Sequence, residues 1–88
     1  MKFGYKFTVD ALDDLATIQK DIAQRIVKKV MYDASLPNPL HYAKRLSGDM
    51  SSSYRFRIGD YRALFVLEGD WEIQIIQVYK IEHRKDIY

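Results

Sequence analysis

The chain has 88 residues, 48% hydrophobic and 30% charged, with a formal net charge of +2 and no cysteine. That length predicts one domain, residues 1–88, burying only about two-thirds of its unfolded surface. The composition excludes disulfides, thiolate nucleophiles and Cys-ligated zinc; no run approaches the ~20 apolar residues of a membrane helix, and the opening MKFGYKFTVDALDD has no signal-peptide core, so a cytoplasmic protein away from membranes is expected.

The aromatic-rich stretch KFGYKFT predicts a first strand. Thr8 is placed to cap the helix that follows, and Asp10, Asp13 and Asp14 suit its early turns. Leu12, Leu15, Ala16 and Ile18 are its apolar stripe. A break at Gln19 to Asp21 leads into a second helix, on which Ile22, Ile26, Val30 and Ala34 recur at helical spacing. Pro37 and Pro39 stop it. The stretch LPNPLHYAKRLSGDMSSS reads as loop, and His41 as a loop residue.

Three strand-like runs complete the chain: Tyr54 to Ile58, Tyr61 to Leu67 and Glu72 to Ile81. Gly59-Asp60 suits a two-residue type II′ turn, and Glu68-Gly69-Asp70 marks the next one. In the last run the apolar parity changes between Ile75 and Ile76, which implies a bulge or burial on both faces. The expected fold is α+β: a helical hairpin packed on a small antiparallel sheet, in the order strand-helix-helix-strand-strand-strand.

A two-residue turn at Gly59-Asp60 sets the register. Ile58 then faces Tyr61, Arg57 faces Arg62, and Phe56 faces Ala63. Alternation sends Tyr54, Phe56, Ile58, Tyr61, Ala63, Phe65 and Leu67 to the core and leaves Arg55, Arg57 and Arg62 outside, with Leu64 and Val66 further along. Charge is concentrated in the same region: residues 41–62 hold five basic and two acidic groups, whereas residues 63–88 hold three basic and five acidic ones. Facing arginines destabilise a sheet, and a local rule broken in this way points to function. A phosphate would compensate, because the guanidinium fork binds it in a bidentate way. Neutralisation by Asp60, Glu68 or another nearby carboxylate is the structural alternative.

The tail EHRKDIY adds His83, which can serve as acid or base near neutral pH, together with Glu82, Arg84 and Tyr88. An antiparallel last strand could bring this tail beside the arginine face. Two distant histidines without an HExxH pattern argue against zinc, and no glycine-rich phosphate loop is present, so no metal or cofactor is expected.

The segments NPLHYAKRLSGD, YRFRIGDYRALF and IIQVYKIEHRKDIY resemble the RelE/ParE toxin superfamily of type II toxin–antitoxin modules, over essentially the whole chain. The resemblance, to the RelE branch in particular, implies a microbial ribonuclease-like fold and metal-free cleavage of mRNA in the ribosomal A site by 2′-hydroxyl attack on the adjacent phosphate. By motif position Arg62 matches the arginine that stabilises the phosphate, Arg55 and Arg57 the basic pair on the preceding strand, and Arg84 a further phosphate contact. Lys44 and Arg45, in the same positive segment, join the phosphate-binding set. His83 and Tyr88 fit the tail positions that carry protons or orient substrate. Because arginine does not deprotonate, proton abstraction would fall to His83, Glu82 or solvent. The implied partner is a cognate antitoxin, with Leu64 and Val66 offering an apolar strip for an amphipathic helix. The alternatives are a ParE-like toxin that poisons DNA gyrase without catalysis, and a degenerate, non-toxic partner-binding protein.

Overall fold

A computed structural model describes residues 2–50 and 52–84. The elements are β1 (Lys2–Phe7), α1 (Val9–Ala16), α2 (Lys20–Ala34), β2 (Lys44–Arg45), β3 (Ser53–Ile58), β4 (Tyr61–Gly69) and β5 (Ile73–His83), with 3-10 turns at Pro39–Tyr42 and Gly48–Met50. The α+β class and the helical hairpin on a sheet are as expected.

Thr8 caps α1 from an extended conformation, its Oγ1 accepting from the Ala11 amide at 3.2 Å. Thr17 ends that helix: its hydroxyl donates to the Asp14 carbonyl at 2.7 Å. The face that packs inward carries Ala11 and Leu15, while Leu12 and Ala16 point out. On α2 the buried residues Ile26, Val30 and Ala34 follow the expected spacing, and Asp33 is buried against Lys29, Oδ1 to Nζ 2.8 Å.

The sheet runs in the order β1-β5-β4-β3-β2. It is mixed rather than wholly antiparallel, because β1 lies parallel to β5. Parallel neighbours need a long connection, and everything from α1 to β4 supplies it. An otherwise antiparallel sheet with one parallel edge strand is a common arrangement. The two-residue strand β2 falls inside the stretch read as loop; Lys44 pairs with Arg55 and Arg45 with Tyr54.

Core side chains come from one face of the sheet and the inner faces of both helices. Phe56 and Phe65 stack at 4.5 Å between centroids, and Tyr54 stacks on Phe65 at 5.5 Å. Where the apolar parity of β5 changes the ladder is regular, Glu68 pairing with Ile75 and Leu67 with Ile76, so apolar residues simply occupy both faces; a bulge lies further on, at Tyr79, where Leu64 of β4 pairs with Lys80 and its neighbour Phe65 with Val78. The extra residue lets Ile76, Val78 and Ile81 all enter the core. The last β1 pair is Phe7 with Val78. Beyond it Asp14 of α1 takes over, its Oδ2 accepting from the Ile81 amide at 2.9 Å.

Candidate nucleic-acid interface

The β3–β4 turn has the expected geometry. Gly59 lies at φ 59°, and no non-glycine residue has a positive φ among those described, which fits a type II′ turn. The register follows: Ile58 faces Tyr61, Arg57 faces Arg62 and Phe56 faces Ala63. Directly paired residues share a face, so Arg57 and Arg62 stand side by side on the sheet face away from the helices.

Register across the whole sheet resolves that open face into rows. One row reads Arg57, Arg62 and Glu82 across β3, β4 and β5. The next, two residues along and so about 7 Å away, reads Lys44, Arg55, Leu64 and Lys80 across β2 to β5. Arg57, Gly59, Asp60, Arg62 and Arg84 line a recess of about 110 Å³ at the turn. The turn also holds the end of β5: the Arg84 amide donates to the Asp60 carbonyl at 2.7 Å, and the Arg84 guanidinium lies 3.8 Å from the Asp60 carboxylate. Both side chains are well exposed, so that ion pair is weak. Arg57 is exposed and makes no ion pair with a described residue.

The expected site residues separate into those brought together and those not. Arg55, Arg57, Arg62, Arg84 and Lys44 converge at one end of the open face. Arg45, next to Lys44 on β2, has the opposite orientation. His83 pairs with Tyr61, and its ring meets the Tyr61 ring edge-on at 4.8 Å, on the side away from the arginines. The side chain that β5 places beside Arg62 is Glu82 instead. Tyr88 lies outside the described residues.

Leu64 is only 4% exposed although it sits on the open face. Tyr79 explains this. Its hydroxyl is 2.9 Å from that of Ser53, so the ring reaches from β5 to β3 across β4. Of the expected apolar strip, Leu64 is therefore already covered and half-buried Val66 is what remains. Lys80, which forms an ion pair with Glu82 at 3.2 Å, is a face residue that sequence reasoning did not single out; its parity and that of Glu82 depend on the bulge. Among the described residues, no cluster of His, Cys, Asp or Glu is arranged to hold a metal ion, and no helix is long and apolar enough to cross a membrane.

The family model for the ParE toxin of the type II toxin–antitoxin system matches residues 5–88. The chain is 30% identical to toxin RelG of Mycobacterium tuberculosis over 88 residues, which is all of this chain and 98% of that protein. Among solved structures it resembles the toxin–antitoxin complex RelBE2 from M. tuberculosis, with a TM-score of 0.79 and 25% identity over 96% of this chain and 93% of that one. The archaeal RelE–RelB complex from Pyrococcus horikoshii OT3 shares the fold, with a TM-score of 0.67 and 23% identity over 96% and 97% of the two chains. The chain belongs to the RelE/ParE superfamily and is a toxin of a type II toxin–antitoxin module.

Proposed function

We propose that this toxin is an endoribonuclease that cuts mRNA in the ribosomal A site and so stops translation in the cytoplasm. The observation that carries this reading is the pairing of Arg57 with Arg62 beside Arg84 around one small polar recess. Three guanidinium groups at one point suit a phosphate whose negative charge grows during 2′-hydroxyl attack, and fixed cations aimed at developing charge are often the largest catalytic term. Arg62 stabilises the crowded phosphate. Arg57 and Arg84 flank it, and Arg55 with Lys44 holds the backbone one row away. Tyr88 is the tail residue left to orient the substrate, since His83 turns to the opposite face against Tyr61.

RelBE2 and the archaeal RelE–RelB structure are toxin–antitoxin complexes. We infer a cognate antitoxin here too, whose acidic segment lies over the arginines with apolar side chains against Val66 and the exposed Ile73 beyond it.

A second reading, gyrase poisoning without catalysis, draws on the ParE family model that matches the chain. Controlled expression with in vivo mapping of message ends separates the two. Codon-phased cuts are expected from the wild type, and Arg62→Ala should lower cleavage about 10²–10³-fold while leaving folding intact. Full growth arrest by Arg62→Ala would remove the site assignment. Loss of plasmid supercoiling with intact messages would establish the second reading.

A further inference from the structure

The cleavage reading leaves one role unfilled. The 2′-hydroxyl must lose a proton as it attacks, and no guanidinium can take it. We propose that Glu82 is the proton acceptor, an inference that rests on the ribonuclease reading above.

Placement in the sheet singles out Glu82. Among the described residues, the basic end of the open face carries Lys44, Arg55, Arg57, Arg62, Lys80 and Arg84, and two carboxylates lie near them. Asp60 sits in the turn, with its side chain 67% exposed and its carboxylate 3.8 Å from the Arg84 guanidinium. Glu82 is on a strand flanked by β4, directly across from Arg62, with its side chain 20% exposed. Lys80 holds the Glu82 Oε1 at 3.2 Å, leaving the other carboxylate oxygen to accept. A base must be held within hydrogen-bond reach of the proton it takes, and a side chain locked by its strand and an ion pair meets that need better than one on an exposed turn. Cross-strand neighbours stand about 4.5–5.5 Å apart at Cβ, so a phosphate gripped by Arg62 brings the 2′-hydroxyl of the ribose attached through its 3′-oxygen within range of Glu82. His83, one residue on, points to the Tyr61 side.

The placement depends on the bulge. With a continuous ladder, Glu82 would share the parity of Ile76 and Val78 and face the helices. The extra residue at Tyr79 turns Ile81 inward and Lys80 and Glu82 outward, and Asp14 secures that segment through the Ile81 amide.

The 2′-oxygen forms a bond to phosphorus and its proton passes to the Glu82 carboxylate. The bond from phosphorus to the 5′-oxygen breaks, that oxygen takes a proton from water, and the hydroxide left takes the proton from Glu82, restoring its carboxylate. The products are a 2′,3′-cyclic phosphate and a 5′-hydroxyl.

The test uses the full-length toxin, freed from its antitoxin, on ribosomes programmed with a short synthetic message. Two messages are compared, one natural at the cleaved position and one with sulfur in place of the 5′-bridging oxygen, a leaving group that needs no proton. Glu82→Gln keeps the shape and removes the base. It should cleave the natural message at least ~10²-fold more slowly than wild type, bind an uncleavable 2′-deoxy message within a factor of a few, and gain no more from sulfur than wild type does. Cleavage within about threefold of wild type would overturn the proposal. So would recovery of wild-type rate on the sulfur message, which would make Glu82 the donor to the leaving group, and so would a defect confined to message binding. Wild-type toxin that cuts neither message would instead remove the ribonuclease reading, and this proposal with it.

Discussion

Strand β4 runs between two copies of one dipeptide, Gly59-Asp60 and Gly69-Asp70, and the two turns use it differently. At the far turn the aspartate serves the backbone: Asp70 Oδ1 accepts from the Glu72 amide at 2.9 Å and the Ile73 amide at 3.0 Å. At the near turn Asp60 leaves the backbone and points its carboxylate into the arginine recess. The surroundings match. Beside the far turn opposite charges pair, as Lys6 with Glu68 at 3.0 Å; beside the near turn like charges face each other. One turn is arranged for stability, and the other holds like charges together, an arrangement that a bound phosphate would relieve under the ribonuclease reading.

The glycines give the largest expected contrast. Gly69 has φ 115°, and a Cβ there would collide with the Ile73 carbonyl oxygen. Gly59 has φ 59° and open space around it. Gly69→Ala should cost at least about 2 kcal/mol, combining backbone strain with a clash against main chain that cannot swing away. Gly59→Ala should cost about 1 kcal/mol from its left-handed conformation alone. Urea midpoints of the two variants, measured side by side, check the order, and equal losses would mean that the turns are built alike.

The acidic residues give a smaller contrast, this time in binding. Asp60→Asn removes the carboxylate from the recess and keeps the backbone bond to the Arg84 amide. RNA oligonucleotide affinity at low salt should rise about two- to fivefold, as befits one exposed charge, and the gain should shrink as salt is added. Asp70→Asn should leave RNA affinity unchanged in the same titration. Weaker binding by Asp60→Asn would show that the carboxylate organises Arg84 rather than competing with the phosphate.

How far the sequence revealed the site depends on how local each determinant is. The β3–β4 register was legible because a two-residue turn and strict alternation fix every pairing from Tyr54 to Phe65, so the meeting of Arg57 and Arg62 needed no tertiary information. The β5 strand was only partly legible. The parity change at Ile75-Ile76 read as a bulge or as burial on both faces, and the ladder is regular there; the bulge at Tyr79 is set by β4, by the end of β1 and by Asp14, which lies 67 positions away from Ile81 in the chain. That shift decides that Glu82 and not His83 joins the arginines. Strand β2 left no trace, since two exposed basic residues carry no alternation. The parallel docking of β1 was equally hidden, because a strand's own sequence does not name its neighbour.

The smallest expected effect concerns acid. Hydrogen bonds from the Ile73 and then the Glu72 amide hold the Asp70 carboxyl below its ordinary value of 3.8. A carboxyl whose folded value is depressed stabilises the fold above its unfolded value, and that contribution fades as pH falls through the folded one. For Asp70 the window therefore opens at about pH 4 and extends downward. Asp70→Asn keeps an oxygen for the two amides and loses only the charge, so wild type should hold a slight advantage at pH 6 that shrinks as pH falls below about 4. Hydrogen exchange at Glu72 and Ile73 isolates the far turn from global unfolding. An advantage that stays constant from pH 6 to pH 3 would mean that the charge contributes nothing there. Protection factors at the Arg84 amide, whose acceptor is the Asp60 carbonyl rather than a carboxylate, should show no change on Asp70→Asn, which keeps the two turns energetically separate.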